Sequence, residues 1–465
     1  MDTSLPGHQP QAQPPHARRT GWATTLIAAY GMLALIVASL FTTLDGPIIL
    51  LMEESIRQSL RMTDTQLGLL QGAGFTLVAG IASVPIAWLA DRYGRRGLLA
   101  LSVLVWAGAT VGCGLAPDFP SLFLATAGVG IGAAGLGPVV FGLIPQIVSA
   151  RHRVLANGAF MLTTMLGGSL ALILSGALAE SLEALRPLLP AVWQGLEPWR
   201  VALLVLTLPS PLVALALLLI RLHPARADAD AEAPAEPARA TPSAFRPYWQ
   251  QHGRTLTLVF AGVGLASVGL VASASWLPVI AGRHFGSSMA DVGQGIGLAN
   301  LLGVVLGAVA GAVGVKLLGG RLGVALPMRV IAVGSLVATV ATAAMPLAPS
   351  ADVLYVLFGV QGASLVAGTV LVPTLLQDMT PEALQSRVIA LGSVVTVVIA
   401  SGTPVLVGAL SDLIQASPAG LLAISAGLGA AGLALGAWLM FVAERPYIRT
   451  VHAVHPDMAK APLTL

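Results

Sequence analysis

Asp45 stands inside an apolar run that extends from Trp22 to Leu51. An ionisable side chain in such a run is costly and ordinarily faces a cavity or a partner. A carboxyl held there can bind and release a proton, or touch a polar group of a bound solute. It can equally cap a chain break at Gly46-Pro47 and look out to water. A second charged constellation, Ala87-Trp88-Leu89-Ala90-Asp91-Arg92-Tyr93-Gly94-Arg95-Arg96, lies between two further apolar runs. Gly94 permits a very short turn. Asp91 can face the positive end of another helix, and the arginines can bind carboxylates or lipid headgroups. Nothing comparable suggests catalysis. No nucleophile stands with a base, no Walker loop points to ATP, and the eight histidines fall in tails and loops without metal-ligand spacing. The expectation is therefore no enzyme, no cofactor and no metal.

The elements that must position these charges are apolar. The chain has 465 residues, 56% of them hydrophobic and 10% charged. A soluble domain carries roughly a quarter of its residues as charges. Twelve runs are long enough to cross a hydrocarbon core of about 30 Å. They are 22–51, 67–90, 97–116, 122–148, 155–180 and 201–220, then 256–281, 296–318, 324–345, 353–376, 388–410 and 420–442. Residues 1–20 read as a disordered cytoplasmic tail, 21–220 as a first six-helix bundle and 221–254 as a cytoplasmic linker. Residues 255–443 read as a second bundle and 444–465 as a cytoplasmic tail. The linker expectation rests on the Ala, Pro, Asp and Glu content of 226–242, which cannot bury apolar area.

Charge sets the expected orientation. With both termini cytoplasmic, nineteen of the 24 Lys and Arg fall on the inner side, leaving Arg57, Arg61, Arg186, Arg200 and Arg283 outside. The net charge of +3 thus follows topology and gives no sign of a nucleic-acid partner. A repeat joins the halves. Arg153-Val-Leu-Ala-Asn-Gly158 opens the fifth run and Ser-Gly-Ala-Leu-Ala-Glu180 closes it, while Arg387-Val-Ile-Ala-Leu-Gly392 and Val-Gly-Ala-Leu-Ser-Asp412 frame the eleventh. The repeat predicts two parallel six-helix halves.

The Asp91–Arg96 loop resembles the signature loop of the major facilitator superfamily, with Ala87 where that motif has Gly. The resemblance implies an all-α membrane fold of twelve helices in two pseudo-symmetric six-helix bundles. It also implies that Asp91, Arg92, Gly94, Arg95 and Arg96 form a gating contact with span eleven, which begins near Arg387. The corresponding loop after span eight, Gly311 to Arg321, keeps glycines and basic residues but lacks the Asp.

A narrower resemblance is to the spinster-like branch, strongest over the first 200 residues. It rests on Leu44-Asp45-Gly-Pro, Glu54, Met62-Thr-Asp64-Thr-Gln66-Leu-Gly-Leu-Leu70, Gly112-Cys-Gly-Leu-Ala, Gly128-Val-Gly-Ile-Gly132, Pro198-Trp-Arg200 and Trp276-Leu-Pro278. Three charged positions of that branch are here Gly46, Thr126 and Ala133, so Asp45 is the charge that remains.

Candidates for the cavity wall are Tyr30, Ala133, Asn157, Thr164, Trp276, Asn300, Gln361 and Ser401, although most polar residues in spans hydrogen-bond between helices. The expected function is alternating-access transport of a small hydrophobic, amphiphilic or weakly acidic organic solute, in an inner membrane. Partners would be that solute, the lipid bilayer and, if transport is coupled, protons. A drug or metabolite exporter of the same fold and a non-transporting sensor are the alternatives. Met165-Leu-Gly167-Gly168 lacks the proline step of proton-driven drug exporters.

Overall fold

The computed structural model describes residues 21–148, 152–185, 187, 190–221 and 242–455. The expected tail 1–20, linker residues 222–241 and residues 456–465 lie outside the described residues.

Hydrocarbon offers no water to the backbone, so each apolar run satisfies its amides internally as helix. Span one is α1 (Gly21–Thr43) followed by α2 (Asp45–Leu60). Span two is α3 (Asp64–Leu69), a π-helical segment (Leu70–Leu77) and α4 (Val78–Tyr93). Next come α5 (Arg95–Leu115), the broken pair α6 (Phe119–Ala134) and α7 (Leu136–Ile147), and α8 (Arg153–Leu185). The short α9 (Ala191–Gln194) leads to α10 (Pro198–Thr207) and α11 (Ser210–Leu218), which are separated at Pro209. The second half contains α12 (Pro242–Phe285), α13 (Met289–Leu322), α14 (Leu326–Ala344), α15 (Ala351–Thr369), α16 (Val372–Asp378), α17 (Gln385–Leu413) and α18 (Pro418–Val454). Among the described residues, 11 stretches are long and apolar enough to cross a membrane. One of them, Met289–Leu347, runs through both α13 and α14, so the chain makes twelve crossings.

Three expectations need correction. Span one does not end at Leu51, because α2 continues to Leu60 and carries Glu53 inward with it. Residues 242–254 are not linker but the first turns of α12, and residues 444–454 are not tail but the last turns of α18. These extensions pair with one another. Tyr248 and Tyr447 are buried in one apolar cluster, and Thr450 lies 3.3 Å from His252 Nδ1. His252, His284 and His452 consequently lie on helices, not in loops.

The apolar packing is uneven along the membrane normal. Near Gly94, the core of α1, α5, α7, α8 and α11 belongs wholly to the first half. At the same end, Tyr248, Phe260, Met328, Leu375, Val388 and Tyr447 form a core wholly of the second half. At the opposite end one core spans both halves, joining Ile48, Met52 and Ile56 of α2 to Trp276, Ile280 and Val292 of α12 and α13. The bundles are thus fused at the end holding the α2–α3 turn and separately packed at the Gly94 end.

Gln361 ties the second bundle from within. It is fully buried on α15, and its amide nitrogen, with two hydrogens to donate, lies within hydrogen-bond distance of three acceptors: the Gly269 carbonyl (3.0 Å), Ser273 (3.1 Å) and Thr342 (2.7 Å). The cavity-wall expectation for Gln361 is therefore replaced by a role inside one bundle. Gln361→Ala is expected to cost about 2 kcal/mol, since it leaves buried polar groups short of a donor. A thermal unfolding series in lipid would show the drop, and an unchanged midpoint would contradict this role.

Candidate functional site

The fused end is held by charge as well as by apolar packing. α1 breaks at Leu44, and α2 restarts at Asp45 with Pro47 in its first turn, where a missing N–H costs nothing. The Asp45 side chain lies outside the described residues. Further along α2 stand Glu53, Glu54 and Arg57. The helix closes on Arg61 in the left-handed region, and α3 opens at Thr63, whose side chain and that of Gln66 form a reciprocal capping box. This tight turn places Asp64 beside α2 with its side chain buried.

Arg283, near the end of α12, reaches across from the second bundle. Its guanidinium meets Asp64 through two nitrogens at 2.9 and 3.1 Å, and Glu54 through Nε at 2.6 Å. Glu54 is also bonded by Arg57 at 2.8 Å. Ser411 of α17 donates to Asp64 at 2.7 Å. The next residue, Asp412, accepts from the Asp64 amide (3.1 Å), the Thr65 amide (2.8 Å) and the Thr65 hydroxyl (2.6 Å). A carboxylate from the second bundle thus sits on the positive N-terminus of a first-bundle helix, where free amides and helix dipole both favour it. Three carboxylates, Glu54, Asp64 and Asp412, meet two guanidiniums, Arg57 and Arg283, and the third negative charge is balanced by the N-terminus of α3. α2 is anchored in turn by Ser59, which donates to Glu197 at 2.5 Å. Burial pushes the Glu197 carboxyl up, but Ser59, Arg200 and Trp199 donate to it and hold it below its usual range.

Below the latch the helices touch backbone to backbone. Gly68 and Gly72 of span two abut the carbonyls of Pro404 and Ser401 on α17, and Gly408 abuts the Asp64 carbonyl. α8 and α13 meet likewise: a Cβ on Gly293 would lie 2.6 Å from the Leu172 carbonyl, and Asn300 donates to Ser169 at 2.9 Å. Within the π segment, the Gln71 amide nitrogen bridges Glu53 (2.5 Å) and the Ser275 carbonyl of α12 (3.2 Å).

The Gly94 end is arranged differently. Gly94 alone separates α4 from α5, at φ 96°, a conformation side chains rarely adopt. Asp91 pairs with Arg95 of its own loop at 2.8 Å, and its side chain is 66% exposed. Arg95 also donates to the Gly142 carbonyl, and Arg96 to the Ile220 carbonyl at 2.9 Å. Arg92 lies over the Trp88 and Tyr93 rings. All of these contacts lie within the first bundle. Arg387 is exposed near the start of α17. The contact expected of Asp91, a carboxylate on the N-terminus of the other bundle's helix, is instead made by Asp412 at the opposite end.

The remaining candidates divide. Trp276 is fully buried in the shared core, and Asn300 and Ser401 lie where the bundles cross. Tyr30 donates to the Ala216 carbonyl at 3.0 Å, inside the first bundle. Ala133 is half-buried near the end of α6, Thr164 folds its hydroxyl back onto the Phe160 carbonyl, and half-buried Asn157 has a side-chain oxygen without a hydrogen bond. Sequence reading did not single out the latch. Its signal was present in Glu54 and Asp64 beside the α2–α3 turn and in Arg283, one of few basic residues on that side.

Two bundles of six helices, fused at one end and parted at the other, form a recognised architecture. A profile described as Major Facilitator Superfamily matches residues 31–325. The chain belongs to the major facilitator superfamily. It is accordingly a multi-pass membrane protein of a transporter family, not of an enzyme family. Its fold is similar to the crystal structure of a bacterial homologue of the human lysosomal transporter spinster in an inward-facing, unoccupied conformation. That likeness has a TM-score of 0.73 at 22% identity over 94% of this chain and 99% of the other. Among curated proteins the chain is 25% identical over 284 residues to an MFS-type efflux pump of Mycolicibacterium smegmatis, covering 61% of this chain and 60% of the pump. It is 28% identical over 166 residues to protein spinster homolog 3 of Mus musculus, covering 33% of this chain and 30% of the mouse protein. The spinster-like resemblance of the first half thus has a counterpart in both sequence and fold.

Proposed function

We propose that this superfamily member is a secondary transporter that moves a small hydrophobic, amphiphilic or weakly acidic organic solute by alternating access. The observation that carries the reading is the asymmetry of the cores: one shared core at the latch end and two separate cores at the Gly94 end. Such packing lets a solute reach the gap between the bundles from the Gly94 side only. The Lys and Arg bias supports a cytoplasmic Gly94 end with both termini inside, in a bacterial inner membrane. The state is then inward-open, with the bundles of 21–220 and 242–454 as the rocking units. In the opposite state the latch parts, and Asp91 meets the N-terminus of α17 near Arg387, in the mirror image of the Asp412 contact. Asp45, at the break between α1 and α2, is the coupling or solute-contact carboxylate. Asn300 and Ser401, where the bundles cross, border the path and Trp276 backs it from within the shared core; none of the three would neutralise a strongly ionic solute.

Flux in proteoliposomes, screened over lysolipids, organic acids and common drugs with and without a pH gradient, tests this function. Asp45→Asn is expected to lower gradient-driven flux by roughly tenfold or more. Full flux at every pH in that variant would remove Asp45 from the coupling role. Absence of flux for every compound would favour a sensor. Export is supported as the direction by the similarity to the efflux pump, and a deletion strain sensitised to a toxic panel would bear it out.

A further inference from the structure

Glu53 is a latch-region carboxyl that is balanced neither by an ion pair, as Glu54 and Asp64 are, nor by a helix N-terminus, as Asp412 is. It is 2% exposed, and one of its oxygens accepts from the Gln71 amide nitrogen. Its other oxygen, Oε2, is buried without a hydrogen-bond partner, and so is the side-chain oxygen of Gln71. Both hydrogens of the Gln71 amide are already used, on Glu53 and on the Ser275 carbonyl. Every charged group around Glu53 is committed elsewhere. On its own helix Glu54 and Arg57 bind each other, Arg283 of α12 binds Glu54 and Asp64, and Glu197 before α10 binds Ser59 and Arg200. On the other helices packed against α2, Glu180 of α8 and Asp291 of α13 are exposed. An ionised Glu53 would therefore leave two buried acceptors facing no donor, which is costly. A carboxylic acid supplies the one donor that the carboxyl–amide pair lacks.

We propose that Glu53 is a proton-binding site whose occupancy controls whether the two bundles close at the latch end. The step is simple: water reaching the parted latch delivers one proton to the Glu53 carboxylate, and the neutral acid then seats against Gln71 and Ser275 as α2, the π segment and α12 come together. Opening reverses it. The π segment suits this role, because its widened turn carries Gln71 between two bundles. The inference rests on the alternating-access reading and names a proton site within it that is separate from Asp45.

The sign of the pH response identifies the group. Closure binds a proton at Glu53, so the ratio of closed to open latch falls as pH rises. Protonating Glu54, Asp64 or Asp412 would instead break latch bonds, so those groups drive the ratio the other way.

The experiment is a spin-label distance measurement on the full chain in lipid nanodiscs. One pair sits at the latch end (Arg61→Cys with Ala419→Cys) and one at the Gly94 end (Leu155→Cys with Ala383→Cys), with native Cys113 buried and left in place. Between pH 5 and 9 the closed-to-open ratio of the latch pair is expected to fall at least about tenfold, and to stay within about twofold in Glu53→Gln. Glu53→Met, which removes the titrating group by an apolar route, gives the same readout should the Gln variant fail to assemble. A wild-type ratio that ignores pH, one that rises with pH, or one that falls equally in the Glu53 variants overturns the proposal. Breaking the latch with Arg283→Ala separates the two readings. If it moves both pairs while pH moves neither, only the Glu53 site falls; if it moves neither and proteoliposomes show no flux, alternating access falls as well.

Discussion

Arg283→Ala is expected to part the latch. The substitution leaves Asp64 and Glu54 close together with Arg57 as their remaining cation, and Arg57 already lies 4.0 Å from Asp64. The Arg283 and Asp64 side chains are 16% and 10% exposed, so water screens the lost pair little. Removing one member of such a pair costs about 3–5 kcal/mol, chiefly through the charge left behind. At about 3 kcal/mol the closed-to-open ratio changes by roughly a hundredfold, enough to make the closed latch a minor state. Labelling of a cysteine placed at Arg61 should accelerate by a comparable factor, and net flux should fall because the cycle needs both closures. Arg283→Lys should be intermediate, since a point charge replaces a planar fork that grips Asp64 through two nitrogens. Closed-state labelling and full flux in Arg283→Ala would mean that apolar packing alone holds this end.

Gly72→Val should have a similarly large effect by a different route. Gly72 lies in the π segment against the Ser401 carbonyl, and a Cβ there would run into that oxygen. The obstacle is backbone on a packed helix, so no rotamer change relieves it. Inserting bulk into a tight crossing costs about 1–3 kcal/mol or more. That cost falls on the closed latch alone, since parting the bundles removes the contact. The variant should therefore fold and insert, yet show the open latch in labelling and in the distance distributions. Gly402→Ala is the matched control, because a Cβ at Gly402 on the facing helix meets nothing within 4 Å. Equal effects from the two substitutions would argue against steric propping and for a general weakening of the fold.

Both variants act at a place where residues distant in sequence meet. Asp64 and Arg283 are 219 positions apart, and Asp412 and Thr65 are 347 apart. Hydropathy locates the helices that carry these residues because hydrocarbon forces each apolar run to close its own hydrogen bonds. It also locates the tight turn at Gly94, because charges and glycine between two apolar runs leave little else possible. The twelve crossings, the paired six-helix halves and the Asp91–Arg96 loop were legible for those reasons, and each is a local property of the chain.

Pairing is not local. Whether Gln361 faces a path or the interior depends on the rotation of α15 against α12 and α14, and composition says nothing about that rotation. Glu53 looked like the point where span one left the membrane, since a carboxylate normally ends an apolar run. Tertiary structure carried it inward, because α2 is covered on one side by the second bundle and Gln71 meets its carboxyl. Which end of the molecule is fused was likewise decided only by the fold. Asp91 and Asp412 each lie in the last turns of a long helix, and nothing local to either says which one meets the other bundle in this state. Only the meeting of α17 with α3 distinguishes them, placing Asp412 on a helix N-terminus of the other bundle while Asp91 stays with Arg95.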